Sequence, residues 1–388
     1  MNMQLKPALL RWAREHSGFT QERLAHKLNV RQERVAEWER TGEISFPKLQ
    51  TLAASTHTPI GYLFLPQPPD EELPIPDFRT IGSAPPGRLS VDLLDVIHQC
   101  QLRQTWYREY RISEGAQPLD FVGSAADADD PIAVAEAIRA TLAIDEAHMR
   151  LAVDNEDAFR QFVERCENAD LLVMRSGIVG GNTHRALDLS EFRGFALVDP
   201  YAPLVFINGK DAPAARCFTL AHELAHIWLG QSGVSNSDMQ FMASQDVERF
   251  CNRVAVDVLI PMRLFREHWQ QNSDPIVEVR RIAEQWKVSA VVVLRRAWDA
   301  GYISDAAYRE LYPLFAGTPA KSAGGGGNYY ASAAARAGKR FVAAVVERAF
   351  AGDMTYTEAF RLLDVRSVDA LRRLGTQVGA NSKYCHAE

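Results

Sequence analysis

Residues Phe218-Thr219-Leu220-Ala221-His222-Glu223-Leu224-Ala225-His226-Ile227-Trp228-Leu229-Gly230 constrain this chain more than any other stretch. They form an apolar run that carries His-Glu-x-x-His, with Gly230 placed where a helix would stop. Phe218, Leu220, Leu224, Ile227 and Trp228 predict a buried helix. Two histidines and a glutamate are expensive in such a place unless they are bound or paired. On a helix, residues four apart share a face, so His222 and His226 can point at one metal ion. Glu223 is rotated by about 100° from His222 and is better placed to reach a water on that ion than the ion itself. Zinc lowers the pKa of bound water to about 7, and a neighbouring carboxylate can take its proton as the water attacks a carbonyl.

Such a site needs a third protein ligand. Downstream, Asp246 to Pro261 reads as a second helix, with Phe250, Val254, Val258 and Leu259 at helical spacing and Pro261 ending the pattern. Glu248 lies near its start and can be presented to the metal if the two helices pack side by side. Asp246 and Asp257 compete for the role, Asp257 from roughly the opposite side of the helix. Glu248 as a solvated carboxylate favouring the helix dipole is the plain alternative. Two histidines and a glutamate with an open fourth position make a catalytic zinc pattern, whereas a structural zinc would want a fourth protein ligand.

Several spaced motifs then agree in order with a known family. Phe218 to His226, Glu248-x-x-x-Asn252 and Leu259-Ile260-Pro261 resemble the ImmA/IrrE family of metallo-endopeptidases. So do Leu187 to Leu197 and Pro203-Leu204-Val205-Phe206-Ile207-Asn208, and the resemblance covers roughly residues 130–315. It implies a zinc-dependent protease that cleaves DNA-binding repressor proteins, with His222, His226 and Glu248 as Zn2+ ligands and Glu223 as the base. The chain departs from the family pattern at Val254-Ala255-Val256-Asp257, where Phe-Ala-Ala-Glu is more usual, and that touches packing more than chemistry.

The head of the chain has its own pattern. Residues 5–16 read as a helix; Thr20 is a good N-cap for a second, Gln21 to Leu28. Arg31 to Arg40 reads as a third helix and the segment from Phe46 as a fourth. Two short helices joined by a tight turn are the helix-turn-helix signature. Thr20-Gln21-Glu22-Arg23-Leu24-Ala25 and Val35-x-x-Trp38-Glu39 resemble the Xre/lambda-repressor family of DNA-binding domains, over residues 1–65. Val35 and Trp38 are expected inside, leaving Arg31, Gln32, Arg34 and Glu37 outward; Arg and Gln suit the edges of guanine and adenine. Gln21, opening the second helix, is expected at a phosphate. Net charge supports an anionic partner for the head alone, because residues 1–65 carry nine Lys/Arg against six Asp/Glu while the whole chain is −6. That excess is modest, and a helix-turn-helix serving protein recognition is the other reading.

Between these parts, residues 66–129 read as a proline-rich acidic linker, with Asp70-Glu71-Glu72 and an extended Leu73 to Arg79, and then a long amphipathic helix from about Ser90 to Tyr110. That helix is a candidate homodimer surface, though core packing is the commoner use. Leu171 to Met174, Phe195 to Val198 and Leu204 to Ile207 read as short strands, one edge of which can hold an extended substrate peptide. His184 reads as a surface residue. Ile282-Ala283-x-x-Trp286-Lys287-Val288-Ser289 echoes Leu24-Ala25-x-x-Leu28-Asn29-Val30-Arg31 at a constant offset of 258. It suggests a second helix-turn-helix-like unit closing the catalytic domain.

Residues 316–328 read as a glycine-rich linker, lacking the Gly-Lys-Ser/Thr of a phosphate loop. Residues 329–388 read as helices at about 331–350, 356–363 and 367–374. Arg336, Lys339, Arg340, Arg348, Arg361, Arg366, Arg372 and Arg373 make this segment a candidate surface for a protein or nucleic acid. The five cysteines (100, 166, 217, 251 and 385) lack any C-x-x-C pair, which suits reduced thiols in a cytoplasm. Cys217 and Cys251 are poor extra metal ligands in apolar helices. No signal peptide or membrane span is legible.

The expected architecture is mainly α with a small β-sheet (α+β): a helix-turn-helix bundle at 1–65, a zinc metallopeptidase domain at 130–315 and a helical C-terminal segment. The expected function is a cytoplasmic regulatory protease acting on a helix-turn-helix repressor or other protein. Its rival is a non-proteolytic regulator or antitoxin that binds its operator and a toxin.

Overall fold

The computed structural model describes residues 2–69, 75–76, 90–145, 151–235, 246–316 and 328–380. The acidic linker residues 70–74, the segment 77–79, the glycine run 324–327 and Cys385 lie outside the described residues. Among those described are seventeen α-helices and eight short strands, a mostly helical α+β protein. No described helix is long and apolar enough to cross a membrane. The chain divides into two compact units, Met1–Pro74 with Ala84–His98, and Ile75–Ser83 with Gln99–Glu388.

In the first unit, β1 (Asn2–Gln4) is followed by α1 (Pro7–His16), α2 (Gln21–Lys27), α3 (Gln32–Thr41), β2 (Glu43–Ser45) and α4 (Phe46–Ser55). The Thr20 hydroxyl accepts from the Arg23 amide at 3.1 Å and fixes the start of α2. Asn29 (φ 50°) makes the turn, and the Val30 amide donates back to the Ala25 carbonyl at 3.0 Å. α3 stops at Gly42 (φ 78°), where a Cβ would sit 1.9 Å from the Leu5 carbonyl oxygen, so only glycine fits. Leu10, Trp12, Leu24, Val35, Trp38, Leu49 and Leu52 close the core.

A buried ion pair crosses this bundle. Arg14 donates through Nε and Nη2 to the two oxygens of Glu39, whose side chain is 3% exposed. Without Glu39, buried Arg14 keeps only Glu15 and the Phe19 carbonyl, so Glu39→Ala is expected to destabilise the unit by about 3 kcal/mol in urea or thermal melts. A loss within about 0.5 kcal/mol, the scale of a solvated pair, would show that the charge is not buried in solution.

In the second unit, α5 (Val91–Ser113) enters from the first and α6 (Pro131–Thr141) and α7 (Asn155–Asn168) follow. β3 (Leu172–Ser176) precedes a small hairpin, β4 (Ile178–Val179) and β5 (Asn182–Ala186), that includes exposed His184. Then come β6 (Gly194–Leu197), β7 (Leu204–Asn208), α8 (Pro213–Leu229), β8 (Gly233–Ser235) and α9 (Asp246–Leu259). The four-stranded sheet runs β3-β7-β6-β8, parallel only between β3 and β7. α8 packs on β6 and β7, with α7 and α9 against it and α6 against α9.

Next come α10 (Met262–His268), α11 (Pro275–Trp286), α12 (Ala290–Asp299) and α13 (Asp305–Ala316). The echo at offset 258 is real backbone: Lys287 (φ 55°) takes the place of Asn29, and the Val288 amide donates to the Ala283 carbonyl at 3.2 Å as Val30 does to Ala25. Ser289 caps α12. Val292, Val293, Leu294, Arg296 and Ala297 of α12 are buried, so this second helix-turn-helix is packed through most of its second helix.

At the C-terminus, the helix expected over 331–350 is two helices. α14 (Tyr329–Ala337) and α15 (Lys339–Ala351) meet at Gly338 (φ 81°), where a Cβ would lie 3.0 Å from the Val173 carbonyl oxygen. α16 (Tyr356–Leu363) and α17 (Val368–Val378) are the last helices among the described residues. Several of the clustered cations hold this segment in place. Lys339 meets Glu164, Arg340 meets Asp170 and Tyr107, and Arg348 meets Glu114. Arg361 and Arg366 remain exposed.

Candidate metal centre

The centre is built by two helices and a strand end. α8 starts at Pro213 and ends at Gly230 in the left-handed region (φ 71°), which gives it four turns of buried apolar length. His222, Glu223 and His226 are all 0% exposed. α9 lies alongside and brings in Glu248, 3% exposed. His222 Nε2 is 3.3 Å and His226 Nε2 3.1 Å from the Glu248 carboxylate, and the two Nε2 atoms are 3.2 Å apart. Among the described residues, His222, His226 and Glu248 form the one cluster of its kind able to offer three ligand atoms, all within 4.8 Å of one another.

Those separations test the fit to an ion. Donors held at about 2.0–2.1 Å on the corners of a tetrahedron lie about 3.3 Å apart. The three measured edges are of that size, and the donor set of two imidazoles and a carboxylate is one that transition metals favour. Two imidazole nitrogens with lone pairs facing each other also need a cation or a proton between them.

Asp246 and Asp257 do not join the cluster. Asp246 is 92% exposed and pairs with Arg249, while Asp257 is engaged by buried Arg296. Cys217 and Cys251 are buried, burial pushes the Cys217 thiol up to about 12 and Cys251 well above its usual value, and neither joins the cluster.

Asn252 Oδ1 accepts from His222 Nδ1 at 3.0 Å, which fixes the tautomer that turns Nε2 toward Glu248. Asn252 lies four residues after Glu248 on α9, so its spacing was the signal in the sequence. Burial would raise the Glu248 carboxyl, but His222 and His226 outweigh it and hold the group at about 2. Glu223 has no such neighbour bound to it. Burial pushes its carboxyl up to about 8, only partly offset by His222 and by the hydroxyl of Ser235, which donates to Oε1. Its other oxygen, Oε2, is buried with no hydrogen-bond partner among the described residues. Gly194 makes room for this carboxylate. A Cβ there would lie 2.7 Å from Thr219 Cγ2 and 3.0 Å from Glu223 Oε1. Ser235 and Gly194 face each other across β8 and β6, and neither was singled out by sequence spacing.

In the first unit, α3 leaves Arg31, Gln32 and Arg34 exposed, with Glu37 half-buried. Arg34 Nη1 donates to Glu37 Oε2 at 2.5 Å, so these two are partly satisfied by each other. Gln21 turns inward and donates to Glu39 Oε2 at 2.8 Å.

A buried helix presenting two histidines and a glutamate, with a second carboxylate beside them, defines a metallopeptidase-like centre joined to a helix-turn-helix bundle. Comparison with protein families agrees: residues 166–297 match the IrrE N-terminal-like domain of the Peptidase_M78 family, and residues 10–63 match the Helix-turn-helix family HTH_3. The chain therefore carries an Xre-type helix-turn-helix domain fused to an ImmA/IrrE-like peptidase domain. Residues 337–377 match a domain of unknown function (DUF8813). No curated protein matched the chain.

Proposed function

We propose that this chain is a DNA-binding regulatory zinc metallo-endopeptidase that cuts a repressor-like or partner protein. In this reading residues 1–65 bind DNA, 130–315 carry the peptidase, and 329–388 are a docked helical segment. One observation carries it. Three ligand atoms converge at tetrahedral spacing beside a buried carboxylate oxygen that has no other partner among the described residues.

His222, His226 and Glu248 hold the ion, and Asn252 orients His222. Zinc bound there supplies Lewis acidity toward water and the scissile carbonyl. Glu223 Oε2 accepts the proton of the attacking water while Ser235 fixes Oε1, so the carboxylate keeps one orientation. A buried carboxylate is a stronger base than a solvated one, and the same oxygen can return the proton to the leaving amine. The apolar helix around it excludes bulk water and strengthens each of these contacts.

The head supplies location. Arg31 and Gln32 at the start of α3 can reach base edges in the major groove. Gln32→Ala is expected to weaken binding to a duplex selected from a random pool by about 1–3 kcal/mol and to relax preference at one base pair. Arg34→Ala is expected to change less, because Glu37 already takes part of its charge. Equal losses for both in fluorescence anisotropy would contradict this assignment.

The test of the proteolytic reading is a comparison of protein N-termini across host cells expressing the wild type or Glu223→Gln. New termini in one helix-turn-helix protein, absent with the variant, support it. Identical termini under several stresses would move the antitoxin reading ahead of it.

A further inference from the structure

The Pro76 carbonyl accepts a hydrogen bond from the Val234 amide at 3.0 Å, and the Ile75 side chain is 8% exposed. Both residues belong to the same compact unit as the metal centre. Their partner, β8, is an edge strand among the described residues, paired with β6 on one side only. In an antiparallel ladder successive residues turn their N–H and C=O to opposite sides. Ser235 faces β6, its carbonyl accepting from the Arg193 amide at 3.3 Å. Val234 therefore presents its N–H and C=O to the open edge, where Pro76 sits. The next residue along, Ser235, donates to Glu223. A short piece of the chain's own backbone is seated on the edge that leads to the candidate catalytic carboxylate.

A free strand edge is a template for an added strand. We propose that the edge of β8 is the peptide-docking edge of the metal centre, and that Ile75–Pro76 occupy it in cis as a built-in competitor. The inference rests on the peptidase reading for what displaces the strap, and goes beyond it in naming the first occupant. Pro76 lacks an N–H, so it cannot return a hydrogen bond to the Val234 carbonyl. Among the described residues, the strap holds the edge by one main-chain bond and by burial of Ile75. An extended peptide with an ordinary residue opposite Val234 can make both bonds, which gives it an advantage the strap lacks. The apparent affinity for any incoming segment is then lowered by the fraction of molecules whose strap is closed.

The test follows the Val234 amide in the full-length protein by hydrogen exchange. Ile75→Asp removes the buried anchor, and Ile75→Leu keeps it. Exchange at Val234 is expected to speed up by about tenfold or more in the Asp variant and to stay near wild type in the Leu variant. A synthetic peptide of residues 70–80 (Asp-Glu-Glu-Leu-Pro-Ile-Pro-Asp-Phe-Arg-Thr), added in trans, is expected to restore protection in the Asp variant. It should bind that variant about tenfold more tightly than the wild type. Amides of α8 report whether the domain stays folded, and Ile75→Ser replaces Asp if they do not hold. Unchanged exchange at Val234 in the folded variant would overturn the strap, and failure of the peptide to restore protection would overturn the docking edge. Cleavage of the peptide, read by its mass, bears on the peptidase reading and leaves both of these outcomes legible.

Discussion

Glu223→Gln is expected to keep one metal ion per chain and to lose cleavage of the protein substrate by about a hundred- to ten-thousand-fold, the range that a positioned general acid–base contributes. The expectation comes from position. Glu223 is one residue from His222, yet it is His222, His226 and Glu248 whose donor atoms converge, while Glu223 turns to Ser235 and leaves Oε2 without a partner among the described residues. Glutamine keeps the shape and the contact with Ser235 but cannot take a proton. His226→Ala should behave differently, losing metal as well as cleavage, because it removes a ligand. Metal content by elemental analysis and initial rates on the purified substrate separate the two. A Glu223→Gln protein whose rate stays within about tenfold of wild type would show that proton transfer at this oxygen is not what limits the reaction.

What could be read from the sequence was local. His222, Glu223 and His226 sit within one helix, so a four-residue period was enough to place them on one face. The start of α2 at Thr20 and the turn at Asn29 were legible for the same reason, and so was the echo at Lys287, since each is decided by residues close in sequence. The choice of Glu248 over Asp246 and Asp257 needed the partners of all three. Asp257 is taken by Arg296, 39 positions away, and spacing cannot report that. β8 is only three residues long and its strand character comes from pairing with β6, so neither Ser235 nor the seat of Pro76 had a periodic signature. Gly338 lies inside an alanine-rich helical pattern, and no neighbouring residue in the sequence marks it as a break. It matters here because the Val173 carbonyl comes within reach of any side chain placed there.

The C-terminal helices raise the same question of long-range contact, and Arg103 on α5 answers it. The sequence marks this helix only by its apolar residues. In the folded protein the Arg103 side chain is 2% exposed, with Nε donating to the Leu362 carbonyl at 3.0 Å and Nη1 to the Arg336 carbonyl at 3.1 Å. Those two carbonyls close the ends of α16 and α14, where helices leave acceptors without intrahelical donors. Burial pushes the guanidinium down to about 10, which still leaves it charged near neutral pH. A positive charge at two helix C-termini is also favoured by their dipoles. Arg103→Ala removes both donors and opens a cavity, and is expected to cost about 3–5 kcal/mol. The loss should fall first on residues 328–380, seen as earlier protease cutting there and as a separate, earlier step in urea. Arg103→Met keeps most of the volume but no donor, so its cost should be smaller than that of Ala yet clearly measurable. If Arg103→Ala melts within about 0.5 kcal/mol of wild type with the segment equally protected, the docking of α14 to α17 rests on the apolar contacts of Phe341, Val345, Leu371 and Leu374 and not on this buried cation.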